Sequence, residues 1–448
     1  MNSVELRGAF ALATIYLMRM LGLFMIMPVI AVLAIDYPDY SPFWLGLAIG
    51  GYGLTQAILQ IPMGIWSDKI GRKPVITIGL ILFALGSFVA ATAESMLWVT
   101  VGRVMQGAGA IAGAVMALAA DVSRESQRSK VMAIIGIAIG FSFYLALILG
   151  PVLATNWGLQ GIFLATGFLA IFCIPLVWLM VPKVTAFAPS GDTLPNLLQL
   201  RQLLFDKPLI RLYLSVLFLH MMITVMFVQL PVRLLDLDWG IDTHWQLYLP
   251  VLVSSILGMG LLMSLARKTN MSSLLMAAVI MLGAAFVLIP LVPVDLISLL
   301  ICVWLFFTAF NFLEANFPAL VSSLAPPGRK GTAMGIFASF QFFGAFLGGV
   351  LSSLVSQWLT NDWLFFVAAM ICFSWCLIFL GFKNTDKGKR YTLSVNFAGR
   401  DLSTLENQFK QLGGIHEFVI FPDQQAVYLK VDGKDFDLKA ARKLADPS

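Results

Sequence analysis

The stretch 64–75, which reads GIWSDKIGRKPV, separates two long apolar segments and decides how the chain is interpreted. Gly71 favours a tight reversal, because glycine adopts backbone conformations that residues with a Cβ avoid. Pro74 suits the first turn of the next helix, where its missing N–H needs no partner. The stretch also carries three basic residues, and short basic loops are typical of the cytoplasmic side of membrane proteins. It therefore predicts a short cytoplasmic turn between two membrane-spanning helices.

The composition of the whole chain agrees with a membrane protein. Hydrophobic residues make up 59% of the 448 residues and charged residues 12%, and the mean hydropathy is +0.88. Soluble domains average about 45–50% apolar and about 25% charged residues. We therefore expect an all-α protein with several spans, whose main partner is the lipid bilayer. The net charge of +5 is modest and lies in the loops, so no nucleic-acid binding is expected.

Several kinds of chemistry are excluded by what the sequence lacks. The four cysteines lie in apolar segments without zinc-like spacing to histidines, so they are interpreted as packing residues and no metal or other cofactor is expected. No Gly-x-x-x-x-Gly-Lys-(Ser/Thr) loop is present, which excludes ATP as an energy source. No enzymatic constellation is recognised. No cleavable signal precedes the first apolar segment, which we expect to be retained.

Twelve segments reach the length of about 20 apolar residues that a span requires. They are 9–34, 43–66, 74–93, 96–121, 131–154, 160–181, 208–234, 244–266, 272–292, 296–324, 331–357 and 362–382. Basic residues concentrate in alternate loops, and only Arg233, at a helix end, departs from this pattern. Both termini are therefore expected to be cytoplasmic.

The two halves of the apolar region look repeated. The stretch Arg128–Gly136 precedes one helix as Arg329–Gly335 precedes another, about 200 residues later. We expect six-helix bundles at 1–183 and 208–382, joined by a cytoplasmic linker at 184–207.

The polar tail at 391–448 predicts a separate βαββα unit. The expected strands are 391–397, 415–421 and 426–431, and the expected helices follow Asp401 and cover 437–444. This order resembles a small ferredoxin-like module without its last strand. Metal-associated domains share the outline, but the tail has no Cys-x-x-Cys pair. Regulation by a ligand or by ionic strength, self-association, and a purely stabilising role all stay open.

The loop at 64–75 resembles the cytoplasmic motif of major facilitator superfamily transporters, Gly-x-x-x-Asp-(Arg/Lys)-x-Gly-Arg-(Arg/Lys). The matching residues are Gly64, Asp68, Lys69, Gly71, Arg72 and Lys73. A generic basic loop would explain the bases but not the glycines and the aspartate at this spacing. The resemblance implies a twelve-helix major facilitator fold, with the substrate site between two halves near the midplane. With the tail, it implies a protein like a drug:proton antiporter of the bacterial inner membrane, with a cytoplasmic regulatory domain.

The resemblance also assigns roles at the cytoplasmic face. In the superfamily, the loop arginine, the loop aspartate and an acid at the end of the fourth helix form a charge cluster, which here implies Arg72, Asp68 and Asp121. Asp68 would meet the start of the eleventh helix near Gly331, where free amides favour an anion, and would stabilise the outward-open state. The alternative is a surface ion pair that contributes about 0–1 kcal/mol.

The fifth helix matches part of an antiporter motif, Gly-x-x-x-Gly-Pro-x-x-Gly-Gly. Gly150 and Pro151 match, whereas Ala146, Ala154 and Thr155 replace the other glycines. Small residues still permit close helix packing. The match therefore implies tight packing here and supports export only in part.

Ionisable groups inside spans are costly and are usually functional or paired. The candidate residues of a proton and substrate cavity are Arg19, Arg103, His220, Glu314, Asn311, Gln229 and Gln341. A carboxylate in low dielectric binds protons more readily than one in water, and histidine titrates near neutral pH. Either Glu314 or His220 could carry a proton, and each could instead be a hydrogen-bonded structural group. Asn311, one turn before Glu314, shares its helical face.

Arg103 lies in the fourth predicted helix, where family transporters often direct an arginine into the central cavity. A whole number of helical turns separates it from Asp121, so the two are expected to share a face. The alternative is an arginine that snorkels or pairs without a role in transport.

The sequence thus predicts a proton-coupled secondary transporter that exports a small amphipathic or hydrophobic compound by alternating access. An importer or uniporter of the same fold is one alternative. A membrane sensor that does not transport is another, although the motif loop and the intramembrane charges argue against it. Self-association through 391–448 stays open.

Overall fold

Helices make up most of the computed structural model. The structure describes residues 1–123, 125–182, 197–266, 269–292, 295–326, 329–380, 389–395, 402–421, 426–431 and 436–445. Some sequence predictions lie outside these residues, namely most of the linker at 184–207 and the expected helix cap Asp401.

Fourteen described α-helices precede the tail. The amino-terminal helices are α1 (Ser3–Phe24), α2 (Ile30–Leu33), α3 (Pro42–Ile70), α4 (Arg72–Ala91), α5 (Met96–Ala108), α6 (Ala112–Asp121) and α7 (Glu125–Leu179). The carboxy-terminal helices are α8 (Leu197–Leu204), α9 (Lys207–Asp236), α10 (His244–Ala266), α11 (Met271–Leu291), α12 (Leu296–Leu324), α13 (Lys330–Trp358) and α14 (Asn361–Trp375). The helix α8 lies within the stretch that the sequence predicts as a linker.

Ten helical stretches of the described residues are long and apolar enough to cross a membrane. One of them covers most of α7, whose 55 residues would extend about 80 Å, far more than the ~30 Å of a bilayer core. Gly158 interrupts α7 with a φ of 61°, so this helix supplies two spans. With α3, which is 29 residues long, the count reaches the twelve that the sequence predicts.

Large apolar side chains cover the outside of the helices. Ile137 is 72% exposed, Leu257 72% and Ile297 71%. Leaving such a side chain in water rather than burying it costs about 1.5–3 kcal/mol. An apolar exterior of this kind fits a lipid environment.

Two predicted helices are each interrupted. The segment 9–34 is helical as α1 to Phe24 and resumes as α2 at Ile30, with Pro28 between them. The segment 96–121 breaks between α5 and α6 at Gly109, where a Cβ would collide with the backbone of α4. The prediction of two continuous helices is wrong here; the apolar sequence continues through both breaks and does not mark them.

Loop charge distinguishes the two ends of the helical bundle. The basic end carries Arg7, Lys69, Arg72, Lys73 and Lys130. The acidic end carries Asp36, Asp39, Glu94, Asp238, Asp242, Asp295 and Asp362. Because each span joins one end to the other, α3 runs from the acidic end to the basic end and α13 runs the opposite way.

Near the acidic end, α3 and α13 pack in backbone contact. A Cβ placed on Gly46 would lie 2.5 Å from the carbonyl oxygen of Gly349, and one placed on Gly53 would lie 2.5 Å from that of Phe342. Side chains do not fit against backbone at this distance, so both positions require glycine. This contact joins the amino-terminal helices to the carboxy-terminal helices.

Toward the basic end the same helical faces separate. Gly64, about three turns beyond Gly53 on α3, lies on the same face, yet a Cβ placed there would meet no described atom within 4 Å outside its own stretch of helix. A Cβ placed on Gly140 of α7 or on Gly335 of α13 would also meet no described atom within 4 Å outside its own stretch of helix. The space between the two groups of helices is therefore open at the basic end and closed at the acidic end.

A three-stranded sheet follows the helices. Strands β1 (Lys389–Ser394), β2 (Ile415–Phe421) and β3 (Ala426–Val431) pair antiparallel in the order β1-β3-β2, with α15 (Leu402–Gln411) and α16 (Leu438–Ala445) as the helices. Its buried apolar residues include Leu393, Leu405, Phe409, Val427, Leu429 and Ala441. The described elements run in the order β-α-β-β-α, and β1 begins at Lys389 rather than at Tyr391.

Candidate functional site

Three polar side chains meet inside the carboxy-terminal helices. His220 lies on α9, Glu314 on α12 and Gln341 on α13. Gln341 Nε2 is 2.7 Å from His220 Nε2 and 3.4 Å from Glu314 Oε1. Glu314 Oε2 is 3.8 Å from His220 Nε2. The sequence predicts these residues only as separate candidates, and the structure brings them together as one His220–Gln341–Glu314 cluster.

Close packing of α9 against α13 sets the spacing of this cluster. A Cβ on Gly344 would overlap the carbonyl oxygen of Leu217, and one on Gly348 would lie 2.6 Å from that of Met221. Gln341 is about one turn before Gly344, and His220 about one turn after Leu217. The two side chains therefore project from backbones whose separation is fixed.

The cluster is partly enclosed and borders on apolar side chains. The Glu314 side chain is 36% exposed and that of His220 is 15% exposed. The ring of Phe310 lies 6.2 Å from the imidazole. Glu314 Oε2 is buried and has no hydrogen-bond partner among the described residues. A carboxylate with a free oxygen next to an imidazole is suited to binding and releasing a proton.

The two other polar candidates of these helices do not join the cluster. Asn311 donates from its amide nitrogen to Ser255 Oγ on α10 at 2.9 Å, although it lies one turn from Glu314. Gln229 is nine residues, or about two and a half turns, beyond His220 and therefore lies on the opposite face of α9. It is buried, and its Oε1 has no partner among the described residues.

A second polar network lies within the amino-terminal helices. Arg19 is 2% exposed, and its Nη2 lies 2.8 Å from the carbonyl oxygen of Gly109 and 2.9 Å from Gln56 Oε1. The Gln56 amide in turn donates to Gln60 Oε1 at 3.0 Å. Nε and Nη1 of Arg19 have no hydrogen-bond partner in the described part of the chain. A buried cation without an acid is costly, which marks this site as unusual.

Arg103 is enclosed rather than directed into an open cavity, contrary to what the resemblance implies. It is 1% exposed, and it donates from Nε to the carbonyl oxygen of Ala48 at 3.0 Å and from Nη1 to Gln106 Oε1 at 2.9 Å. Its guanidinium lies 4.9 Å from the centre of the Tyr52 ring. The helix between Arg103 and Asp121 is interrupted between α5 and α6, so the face that the two residues are expected to share stays a prediction.

Three members of this network were missed in the sequence analysis. Tyr52 contacts both arginines, and Gln106 donates to Ser87 Oγ at 2.8 Å. Gln106 lies three residues after Arg103, so helical spacing was a usable signal for it. Nothing in the sequence marks Tyr52, whose position depends on how α1, α3 and α5 pack.

At the basic end, Arg72 joins two carboxylates. It forms an ion pair with Asp68, and its Nε lies 3.2 Å from Asp121 Oδ2. Its Nη1 donates to Ser67 Oγ at 2.7 Å. The side chains of Arg72 and Asp121 are only 11% and 9% exposed, so this pair is shielded from solvent more than a surface ion pair is.

The rest of the motif loop forms the turn and its anchors. Gly71 has a φ of 102°, in the region that favours glycine. Lys73 Nζ donates to the carbonyl oxygen of Val181 at 2.7 Å, and Lys69 is exposed. The ion pair described for Asp68 is with Arg72 rather than with the start of α13. The contact that the resemblance implies between Asp68 and the start of α13 near Gly331 stays a prediction.

Gly150 and Pro151 lie where α7 passes the end of α1. A Cβ on Gly150 would overlap the carbonyl oxygen of Met25. Pro151 lies inside α7, and Ala146 and Ala154 nearby are buried. These small residues let α7 approach the chain at the interruption between α1 and α2.

The cysteines lie among packing residues. All four are free, and Cys173, Cys302 and Cys372 are buried. Within the described residues, no group of three or more His, Cys, Asp or Glu side chains is placed to bind a metal ion.

The chain is similar to known membrane transporters. The sequence profile of the Major Facilitator Superfamily matches residues 12–349 and 312–412. Over 439 residues the chain is 34% identical to the inner membrane transport protein YajR of Escherichia coli strain K12, which covers 97% of this chain and 96% of YajR. Multidrug resistance protein D of the same strain is 30% identical over 171 residues, 38% of this chain and 43% of that protein.

A solved structure gives the same result for the fold. The crystal structure of the nucleoside transporter NupG superposes with a TM-score of 0.68 and covers 84% of this chain and 99% of NupG. Its sequence identity to this chain is 14%, so the likeness concerns the fold alone.

Proposed function

Because this chain belongs to the Major Facilitator Superfamily and is a multi-pass membrane transporter rather than an enzyme, we propose that it is a proton-coupled exporter of small amphipathic or hydrophobic compounds. The His220–Gln341–Glu314 cluster carries the proposal, since it puts a carboxylate and an imidazole within ionic reach inside the membrane. The similarity to YajR supports a place in the bacterial inner membrane.

The cluster suggests how proton and compound exchange. Glu314 Oε2 has a free lone pair and lies 3.8 Å from His220 Nε2, so a proton bound by either group is held next to the other. An entering compound that contacts this pair would favour release of the proton, and a returning proton would favour release of the compound. This alternation is antiport.

We propose that the basic end faces the cytoplasm, because short loops rich in Lys and Arg stay on that side. The described conformation would then be open to the cytoplasm and ready to accept a compound. Closing the basic end would bring Asp68 to the start of α13, where free amides and the helix dipole favour an anion. Asp68, Arg72 and Asp121 would thus form a latch for the outward-open state.

Two observations favour the export of a partly apolar compound. Multidrug resistance protein D, by its name, acts in drug resistance, and its similarity to this chain favours export. Phe310 beside the cluster favours a partly apolar compound. Gly150 and Pro151 match only part of the antiporter motif.

We propose that residues 391–448 form a ferredoxin-like domain on the cytoplasmic side that regulates transport or mediates self-association. The strand order β1-β3-β2 and the two helices support this assignment.

Proton flux in liposomes containing the purified protein tests this proposal. A pH gradient is imposed, and a panel of lipophilic cations and neutral drugs is added while a trapped dye reports internal pH. We expect proton movement that depends on particular compounds. Glu314→Gln should abolish it without loss of folding, because the amide cannot exchange a proton. Glu94→Gln is the matched control, since Glu94 is exposed at the acidic end.

Three results would contradict the proposal. Transport by Glu314→Gln that still depends on pH would exclude Glu314 as the proton carrier. Compound movement without proton movement in the unchanged protein would indicate a uniporter of the same fold. Counterflow in which protons and compound move together would indicate an importer.

A further inference from the structure

The neighbours of His220 fix which ring nitrogen carries its hydrogen. His220 Nδ1 lies 3.2 Å from the carbonyl oxygen of Val216, and a carbonyl oxygen only accepts, so Nδ1 is the donor. In a neutral imidazole the other nitrogen, Nε2, then offers a lone pair. The amide nitrogen of Gln341, at 2.7 Å, donates to that lone pair.

The same amide group also holds Glu314. Its nitrogen is 3.4 Å from Glu314 Oε1, and an ionised carboxylate is purely an acceptor. An amide NH₂ group has two hydrogens, so Gln341 can donate one to His220 and one to Glu314. The hydrogen bonds of Gln341 therefore match the state in which His220 is neutral and Glu314 is ionised.

We infer that Gln341 is a positioning residue that distinguishes the protonated from the unprotonated pair; this rests on the proposed proton coupling. When Nε2 of His220 takes a proton from hydronium and water is released, an N–H bond forms and Nε2 becomes a donor that faces the donor amide of Gln341. The amide must rotate to present Oε1, and Glu314 then loses that hydrogen bond. The free Oε2 of Glu314, 3.8 Å from Nε2, is placed to accept the new N–H.

Within the described residues, Glu314 is the charged side chain that His220 contacts. The aromatic neighbour is Phe310, and Thr224 binds only the backbone carbonyl of residue 220. The balance between the two amide orientations is therefore set by Gln341 and Glu314.

Gln341 also links this pair to the contact between the two groups of helices. The next residue, Phe342, provides the carbonyl oxygen that lies against Gly53, and its ring lies 6.2 Å from that of Tyr52. Rotation of the Gln341 amide thus occurs one residue away from the contact that closes the acidic end. Gln341, whose orientation depends on the protonation of His220, therefore lies on α13, the helix that separates from α3 when the acidic end opens.

The pH profile of compound-dependent transport tests the inference with two variants. Gln341→Leu removes the donor that favours unprotonated His220, so the midpoint should move up by about half to one pH unit, as expected for one hydrogen bond. Gln341→Glu keeps the size but replaces the donor with an acceptor, and it should move the midpoint up further. Gln357→Leu, the same change at an exposed position of α13, should leave it unchanged.

A merely structural role predicts a different pattern. If Gln341 only fills space, the neutral variant Gln341→Leu leaves the midpoint where it is, and that result would overturn the inference, because the shift in Gln341→Glu also contains the effect of its new charge.

The ring hydrogen can be measured without any transport. In ¹⁵N-histidine-labelled protein in nanodiscs at alkaline pH, the His220 signals, assigned by their loss in His220→Gln, should show hydrogen on Nδ1 and a bare Nε2. Hydrogen on Nε2 in the unchanged protein would overturn the inference while the liposome assay still stands. Absence of compound-dependent proton flux would instead contradict the proposed function, whatever the spectrum shows.

Discussion

Replacing Gly53 with alanine should force apart the contact that closes the acidic end. The new Cβ would lie 2.5 Å from the carbonyl oxygen of Phe342 and 3.1 Å from the backbone nitrogen of Phe346. Helical backbone atoms cannot rotate aside as a side chain can. The helices α3 and α13 must therefore separate by about 1 Å before the new methyl group reaches ordinary van der Waals distance.

The size of the effect follows from the cost of overpacking. Adding a methyl group to a tightly packed contact typically costs about 1–3 kcal/mol. The conformation that is open at the acidic end does not have this cost, because α3 and α13 are separated there. Since 1.4 kcal/mol is a tenfold change in an equilibrium constant, the ratio of closed to open acidic ends should fall about 5- to 150-fold.

Distances between spin labels measure this ratio directly. Phe43, at the start of α3, and Trp358, at the end of α13, are 47% and 82% exposed and can be replaced by labelled cysteines. In Gly53→Ala the longer distances should gain population. The matched control is Gly64→Ala, on the same face of α3 but without a described atom within 4 Å, which should give no such gain. An unchanged distribution in a folded Gly53→Ala protein would show that this contact does not close the acidic end.

Two further predictions concern single aspartates. Asp68→Asn should shift the distances between spin labels at the basic end toward the open state and should slow transport, because a neutral amide binds the free amides of α13 less well. Normal transport with unchanged label distances would contradict the proposed latch. Asp295 accepts hydrogen bonds from the Ser298 backbone and hydroxyl, at 2.9 and 2.7 Å, and these lower its pKa from 3.8. The ionised Asp295 carboxylate therefore stabilises the folded state above about pH 4. This stabilisation is lost as the pH falls through the lowered pKa of Asp295. The unfolding temperature of Asp295→Ala should be lower than that of the unchanged protein, and this difference should shrink in acid. A difference that stays constant with pH would contradict the stabilising role of the ionised Asp295.

The spans and the motif turn could be predicted because local chemistry decides them. Long apolar segments form helices in lipid, and the turn at Gly71 needs the positive φ that glycine provides. The break at Gly109 could not be predicted, because the apolar sequence continues through it. There the backbone of α4 lies too close for a Cβ, and Arg19 binds the carbonyl oxygen of Gly109.

In the candidate site, too, the sequence predicts which residues matter but not how they are arranged. His220, Glu314 and Gln341 stand out as polar residues in apolar segments, so composition was enough to select them. Their grouping depends on the contact of α9 with α13 and was not visible in the sequence. Arg103 was selected for the same reason, but its enclosure by Tyr52 and Gln106 depends on tertiary packing.

The two buried arginines have a consequence for energetics in the cell. In the described part of the chain, neither Arg19 nor Arg103 forms an ion pair, so the amino-terminal helices hold two fixed positive charges in the low-dielectric region. Moving one charge across the full membrane voltage changes its energy by about 2.3 kcal/mol per 100 mV. If reorientation of these helices shifts both arginines by a tenth of the field, the resting voltage biases the two conformations by roughly half a kcal/mol per 100 mV. Transport by this protein would then respond to voltage even when proton and compound together carry no net charge.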